Sequence, residues 1–148
     1  MGKKTKEGAL GKVIVAEVSE NKVLVDTDIL IDISRNDLRA IKKVEDIKNR
    51  ATVSISVITK LELIRGCRNK IELTGLEDFI ERFEIRHINE AVSAKTEELF
   101  KLYRLSHGVQ IPDMLIAATA LVHQIPLLSK NQKDFHFIDG LHLIPYPG

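Results

Sequence analysis

Apolar residues are distributed along this chain in two alternating patterns. Short unbroken runs, such as Val23-Leu24-Val25, are bounded by polar residues; between them lie longer stretches where apolar positions recur every three or four residues. The first pattern marks strands buried on both faces, the second one face of a helix. After Val25 the spacing turns helical, with Ile29, Leu30 and Ile33, then Leu38, Ile41, Val44 and Ile47. ATVSIS (51–56) reads as a second buried strand, VITKLELIRGC from Val57 as a helix closed near Gly66, and Leu73, Leu76 and Ile80 as the stripe of a neighbouring helix. FEIRHI (83–88) is a third strand, and Asn89 suits the N-cap of a helix from about Glu90 to Ser106. GVQIPDMLIAATALVHQ follows, with Pro112 in its first turn and an Ala-rich body suited to close packing on a sheet; PLLSKN and LHLIP close the pattern as two more strands. Strands alternating with helices predict an α/β sandwich around a mostly parallel sheet, whose ligands bind beyond the carboxyl ends of the strands.

The strong pattern occupies residues 22–148, expected to form one domain. Ahead of it, residues 1–21 form an N-terminal extension. Its basic, glycine-containing start (MGKKTKEGALGK) reads as a flexible tail, and the β-prone KVIVAEV as an extra edge strand or an ordered arm. A chain of 148 residues, 44% hydrophobic and 29% charged, buries enough apolar surface to fold without disulfides or metal staples. Its single cysteine, Cys67, forms no internal disulfide and reads as an inert thiol. With no signal-peptide pattern and no membrane-length apolar run, a cytoplasmic protein without a membrane partner is expected. The net charge of +1, from 22 basic and 21 acidic residues, neither demands nor excludes a nucleic-acid partner.

The acids change this picture. Asp26 ends the first apolar run, at the carboxyl edge where such sheets place their chemistry, and Asp28 and Asp32 follow within six residues. Asp113 stands after Pro112 in a helical first turn, with Ile116, Ala117 and Ala120 on the same stripe. Glu62 borders the stripe of the helix after the second strand, and Asp134 follows the PLL strand. Four carboxylates from separate segments, Asp26, Glu62, Asp113 and Asp134, thus converge on one rim. Without a cysteine or histidine cluster among them, they favour a hard cation, Mg²⁺ or Mn²⁺. Each acid also has a structural use when taken singly: Asp26 as an N-cap, Asp113 as a helix-dipole acid, Glu62 as a partner for Arg65. Asp32, three residues before Arg35, belongs on a solvated face. Asp28 is a candidate supporting residue.

Three segments in order, VLVDTDILID, ISVITKLELIRG and IPDMLIAATALVHQIPLLSKNQKDF, resemble the signature segments of the PIN-domain ribonucleases, above all the VapC-type toxins of toxin–antitoxin pairs. The resemblance runs from about Lys22 to Pro145. It implies a three-layer α/β/α sandwich and an acidic, Mg²⁺- or Mn²⁺-dependent site, formed here by Asp26, Glu62, Asp113 and Asp134, that hydrolyses single-stranded or looped RNA to a 5′-phosphate and a 3′-hydroxyl. It also implies a homodimer and a small antitoxin protein as partner; Ile41, Val44 and Ile47, with Leu73, Leu76 and Ile80, offer apolar surface for such association. Ser129 stands where the family commonly has threonine and Asn131 where some members carry an acid, so either Asn131 or Asp134 completes the site. Arg65, Arg68, Lys130 and Lys133 are candidates to meet RNA phosphates. Within the family, ribosomal RNA processing is the alternative to a toxin. An aspartyl-phosphate phosphohydrolase would need a later Asp-Asp pair, and a phospho-receiver signalling module an Asp ending the third strand; the sequence supplies neither.

Overall fold

Five short parallel strands build the centre of the molecule, seen in a computed structural model that describes residues 21–148. The strand or arm expected within KVIVAEV lies outside the described residues. The strands are β1 (Lys22–Val25), β2 (Thr52–Ser56), β3 (Glu84–Arg86), β4 (Leu127–Leu128) and β5 (Leu143–Ile144). They lie in the order β3-β2-β1-β4-β5, with Leu24 opposite both Ser54 and Leu127. Six α-helices accompany them: α1 (Thr27–Ser34), α2 (Leu38–Lys48), α3 (Val57–Arg65), α4 (Lys70–Ile80), α5 (Glu90–His107) and α6 (Ile111–His123).

The two central strands β1 and β4 are apolar apart from Lys22 because helices cover both faces of the sheet. Side chains alternate across a strand. Leu24 and Leu127 accordingly join a core with Val92 and Leu99 of α5 and with Met114, Ile116 and Ala117 of α6. Val23, Val25, Val53, Ile55 and Leu128 face the other way, onto Ile29 and Leu30 of α1, Val44 and Ile47 of α2, and Ile80 of α4. This second core corrects one expectation: Val44, Ile47 and Ile80 are buried within the chain, and Leu76 packs against them, so they offer little surface to a partner. The exposed large apolar residues include Leu38, Leu61, Ile71, Leu102, Leu105 and Ile111.

The helical spacing from Ile29 to Ile47 is carried by two helices. Asn36 adopts a left-handed backbone (φ 62°), and Asp37 starts α2 by accepting from the amides of Arg39 (3.0 Å) and Ala40 (3.3 Å). Asn36 tolerates that conformation better than most residues. Asn89 caps α5 as expected, accepting from the Val92 amide at 2.8 Å. The third strand is shorter than FEIRHI: Phe83 is drawn into the core and Ile88 is exposed, leaving three residues to pair at the sheet edge. Among the described residues no helix is long and apolar enough to cross a membrane.

This topology fixes where a site forms. From β1 the chain moves to β2 and β3 on one side, then returns to β4 on the other, so strand order reverses between β1 and β4. Open parallel sheets bind ligands in the crevice beyond the carboxyl ends at such a switch point. Here those ends carry Asp26, directly after β1, and Ser129, directly after β4.

Candidate active site

Asp26 is the most confined of the acids, with only 6% of its surface exposed. It caps α1, its Oδ1 accepting from the Thr27 amide at 2.7 Å, while its Oδ2 accepts from the hydroxyl of fully buried Ser129 at 2.8 Å. The N-cap role and the role at the crevice therefore fall on the same carboxylate. Burial, with the charge of Asp28 next in importance, pushes its pKa up to about 7 against the hydrogen bonds that favour ionisation. Asp28 is also raised by burial, although it accepts from the Lys130 amide at 3.3 Å.

Asp113, in the first turn of α6, faces the same crevice, and a cleft of about 250 Å³ is lined by Asp26, Asp28, Glu62, Arg65, Asp113 and Asn131 among others. Partial burial first, then the charges of Asp134, Glu62 and Asp28, raise Asp113 to about 6. Glu62 is held by the Thr27 hydroxyl, which donates to its Oε1 at 2.6 Å and lies 2.9 Å from the Thr59 hydroxyl. In the sequence, Thr27 and Thr59 are marked only by the place of Thr27 between two acids and of Thr59 one turn before Glu62.

Asp134 ends a one-turn 3₁₀ helix (Gln132–Asp134), where its carboxylate accepts from the Asn131 side-chain amide. Asn131 lines the cleft containing Asp26, whereas Asp134 lines the next cleft, and Asp113 borders both. The choice between Asn131 and Asp134 thus becomes a linked pair flanking Asp113.

One sequence expectation is corrected. Asp32 is buried, with 8% exposure, and it binds the ammonium of Lys130 at 2.9 Å and 3.2 Å instead of sitting on a solvated face beside Arg35. This ion pair, with the Lys130 amide on Asp28, ties α1 to the loop that carries Ser129 and Asn131. The Lys130 cation meets Asp32 on one side and stays half-exposed on the other, and Arg68 pairs with Glu72 at 2.7 Å on the surface. Of the four basic candidates, Arg65 lines the acidic cleft and Lys133 the neighbouring one.

Apart from Ile31 and Arg65, the side chains lining the cleft with Asp26 offer oxygen ligands. Among the described residues no group of three or more His, Cys, Asp or Glu side chains is gathered closely enough to hold a metal ion as it stands. Buried carboxylates that hold their protons near neutrality are nonetheless a donor set that a hard divalent cation relieves.

The family model described as PIN domain matches residues 23–141. Over 120 residues the chain is 33% identical to a protein of Methanocaldococcus jannaschii named Ribonuclease VapC1, covering 80% of this chain and 82% of that one. It is 34% identical over 120 residues to Ribonuclease VapC19 of Mycobacterium tuberculosis, covering 80% and 95% of the two chains. A solved structure titled as a toxin-antitoxin complex from Klebsiella pneumoniae superposes with a TM-score of 0.72 at 28% identity, covering 85% of this chain and 98% of that one.

Proposed function

Because the chain belongs to the PIN domain family, we propose that it is a metal-dependent endoribonuclease, the toxin of a toxin–antitoxin pair. The observation that carries this reading is the confinement of Asp26 with Asp28, Glu62 and Asp113 around one cleft at the switch point of the sheet. Relatives named as ribonucleases, and a structural neighbour titled as a toxin-antitoxin complex, support the substrate and the partner. Exposed Leu61, Leu102, Leu105 and Ile111 are apolar surface that an antitoxin or a second copy would cover.

Asp26 and Asp113 would hold Mg²⁺ or Mn²⁺, with Glu62 and the Asn131–Asp134 pair drawn in around them. Such an ion supplies an acidified water at neutral pH and neutralises charge on the phosphoryl oxygens. Ser129 and the Thr27 amide fix the two oxygens of Asp26, so this carboxylate meets its ligand already oriented. Thr27 holds one oxygen of Glu62, which would take a proton from the attacking water. Arg65 at the rim meets a phosphate of the bound strand without reading its bases. Attack by water on phosphorus, with the P–O3′ bond breaking and the 3′ oxygen leaving protonated, would give a 5′-phosphate and a 3′-hydroxyl.

Purified chain is expected to cut single-stranded RNA in Mg²⁺ or Mn²⁺ and to stop when EDTA is added, with 5′-phosphate termini on the products. Cleavage that persists in EDTA, or products ending in a cyclic phosphate, would overturn the metal-and-water mechanism.

A further inference from the structure

A second cleft, of about 320 Å³, adjoins the acidic one across Asp113. Its walls include His107, Gln110, Lys133, Asp134 and Phe137. The His107 and Phe137 rings are stacked, 3.9 Å between centroids and 14° between planes, and Tyr103 meets both edge-on at 5.7 Å and 5.1 Å. Hydrogen bonds support this stack: the Ser106 hydroxyl lies 2.7 Å from His107 Nδ1, and the Tyr103 hydroxyl accepts from the Asp139 amide at 3.1 Å. Below it, the connection from α5 to α6 is braced by Arg104, which donates to the carbonyls of Gly108 (3.2 Å) and Val109 (2.8 Å). His107 is nevertheless exposed, at the mouth of a cleft that also carries the cation of Lys133.

Aromatic rings that remain open to solvent beside a cation are how proteins hold single-stranded nucleic acid: bases stack on the rings and the cation meets the backbone. The volume is near the low end of small-molecule sites, roughly 300 Å³, and so suits one nucleotide and no more. Resting on the nuclease reading above, we propose that this cleft binds the base of a nucleotide adjoining the scissile phosphate, stacked against the His107–Phe137 pair with its backbone phosphate on Lys133. Because Asp113 borders both clefts, a strand whose phosphodiester lies among the acids has a neighbouring base within this one. The site would read the presence of a flat base next to the cut and favour unpaired RNA, since a base in a duplex cannot enter it.

The test uses the full chain and a fluorescein-labelled single-stranded RNA that it cleaves, with EDTA present to prevent cutting, and a series of the same RNA with one abasic nucleotide moved along the strand. His107→Ala is expected to weaken binding of the intact RNA about tenfold, in the range of one base–aromatic stack. That loss should vanish when the abasic nucleotide falls at one position beside the cut, and His107→Phe should restore affinity by keeping a flat ring. An equal loss on every RNA, abasic ones included, or no loss at all with the melting temperature unchanged, would overturn the subsite while leaving the nuclease reading standing. Failure of the parent chain to bind or cut any RNA would defeat the nuclease reading and the subsite with it.

Discussion

Asp113→Asn is expected to abolish RNA cleavage while leaving the metal-free protein as stable as the parent or more so. Asparagine keeps the shape and one oxygen but not the charge a cation needs. Removing even the outer supports of a metal ligand typically costs about 10–100-fold, so loss of a principal ligand should exceed about a hundredfold. The stability gain has a separate cause: Asp113 is partly buried and faces the charges of Asp134, Glu62 and Asp28, which already lift it to about 6. Asp32→Asn supplies the contrast. Its carboxylate is buried against Lys130, so this change should lower the melting temperature by loosening the loop that presents Ser129, and reduce cleavage only as far as that loop moves. The two variants should therefore move stability in opposite directions. Destabilisation by Asp113→Asn with cleavage intact would make Asp113 a structural acid.

The second large effect is on the pH dependence of stability without metal. A carboxylate raised from 3.8 to about 7, as Asp26 is, binds its proton more tightly in the folded chain than in the unfolded one. Stability from this group is therefore full at pH below 4 and is lost as pH climbs from about 4 to about 7, at up to about 1.4 kcal/mol per pH unit for one linked proton. Asp113, raised to about 6, adds to the loss over the lower part of the same interval. Melting temperatures measured from pH 5 to pH 8 should fall more steeply in the parent than in Asp26→Asn, which keeps an N-cap side chain but no titrating charge. Saturating Mg²⁺ or Mn²⁺ should restore the parent at pH 8 and do little for the variant. Parallel pH profiles for the two proteins would contradict the assignment of strained carboxylates to this cleft.

Legibility of the site followed the range of the interactions that make it. Asp26 and Asp113 stand at positions with a local meaning, the end of an apolar run and the first turn after Pro112, and parallel-sheet topology then brings such positions to one edge. The alternation of strands and helices was legible for the same reason, since the first two short runs are each followed by a helical stripe, whereas the order of the strands across the sheet has no local signal. Asp32 was misread because its partner, Lys130, lies 98 residues away, while helical spacing offered only Arg35 close by. Val44, Ile47 and Ile80 were read as surplus apolar surface because the pattern on a helix does not reveal how much of the sheet it covers. Thr27 and Thr59 carry only the weak signal of standing near acids, since a hydroxyl gains its role from the atom it meets, here Glu62 through Thr27. The His107–Phe137 stack likewise joins the end of α5 to the loop after β4, a contact that no local spacing announces.

Calorimetric titration of the chain with Mn²⁺ at pH 6.5, in two buffers of different ionisation enthalpy, bears most directly on the central claim that these carboxylates hold a cation. Since Asp26 and Asp113 retain protons near that pH, binding should release about one proton per chain, and both binding and release should be lost in Asp26→Asn and in Asp113→Asn. Unchanged Mn²⁺ affinity in both variants, or binding by the parent with no proton released, would contradict it.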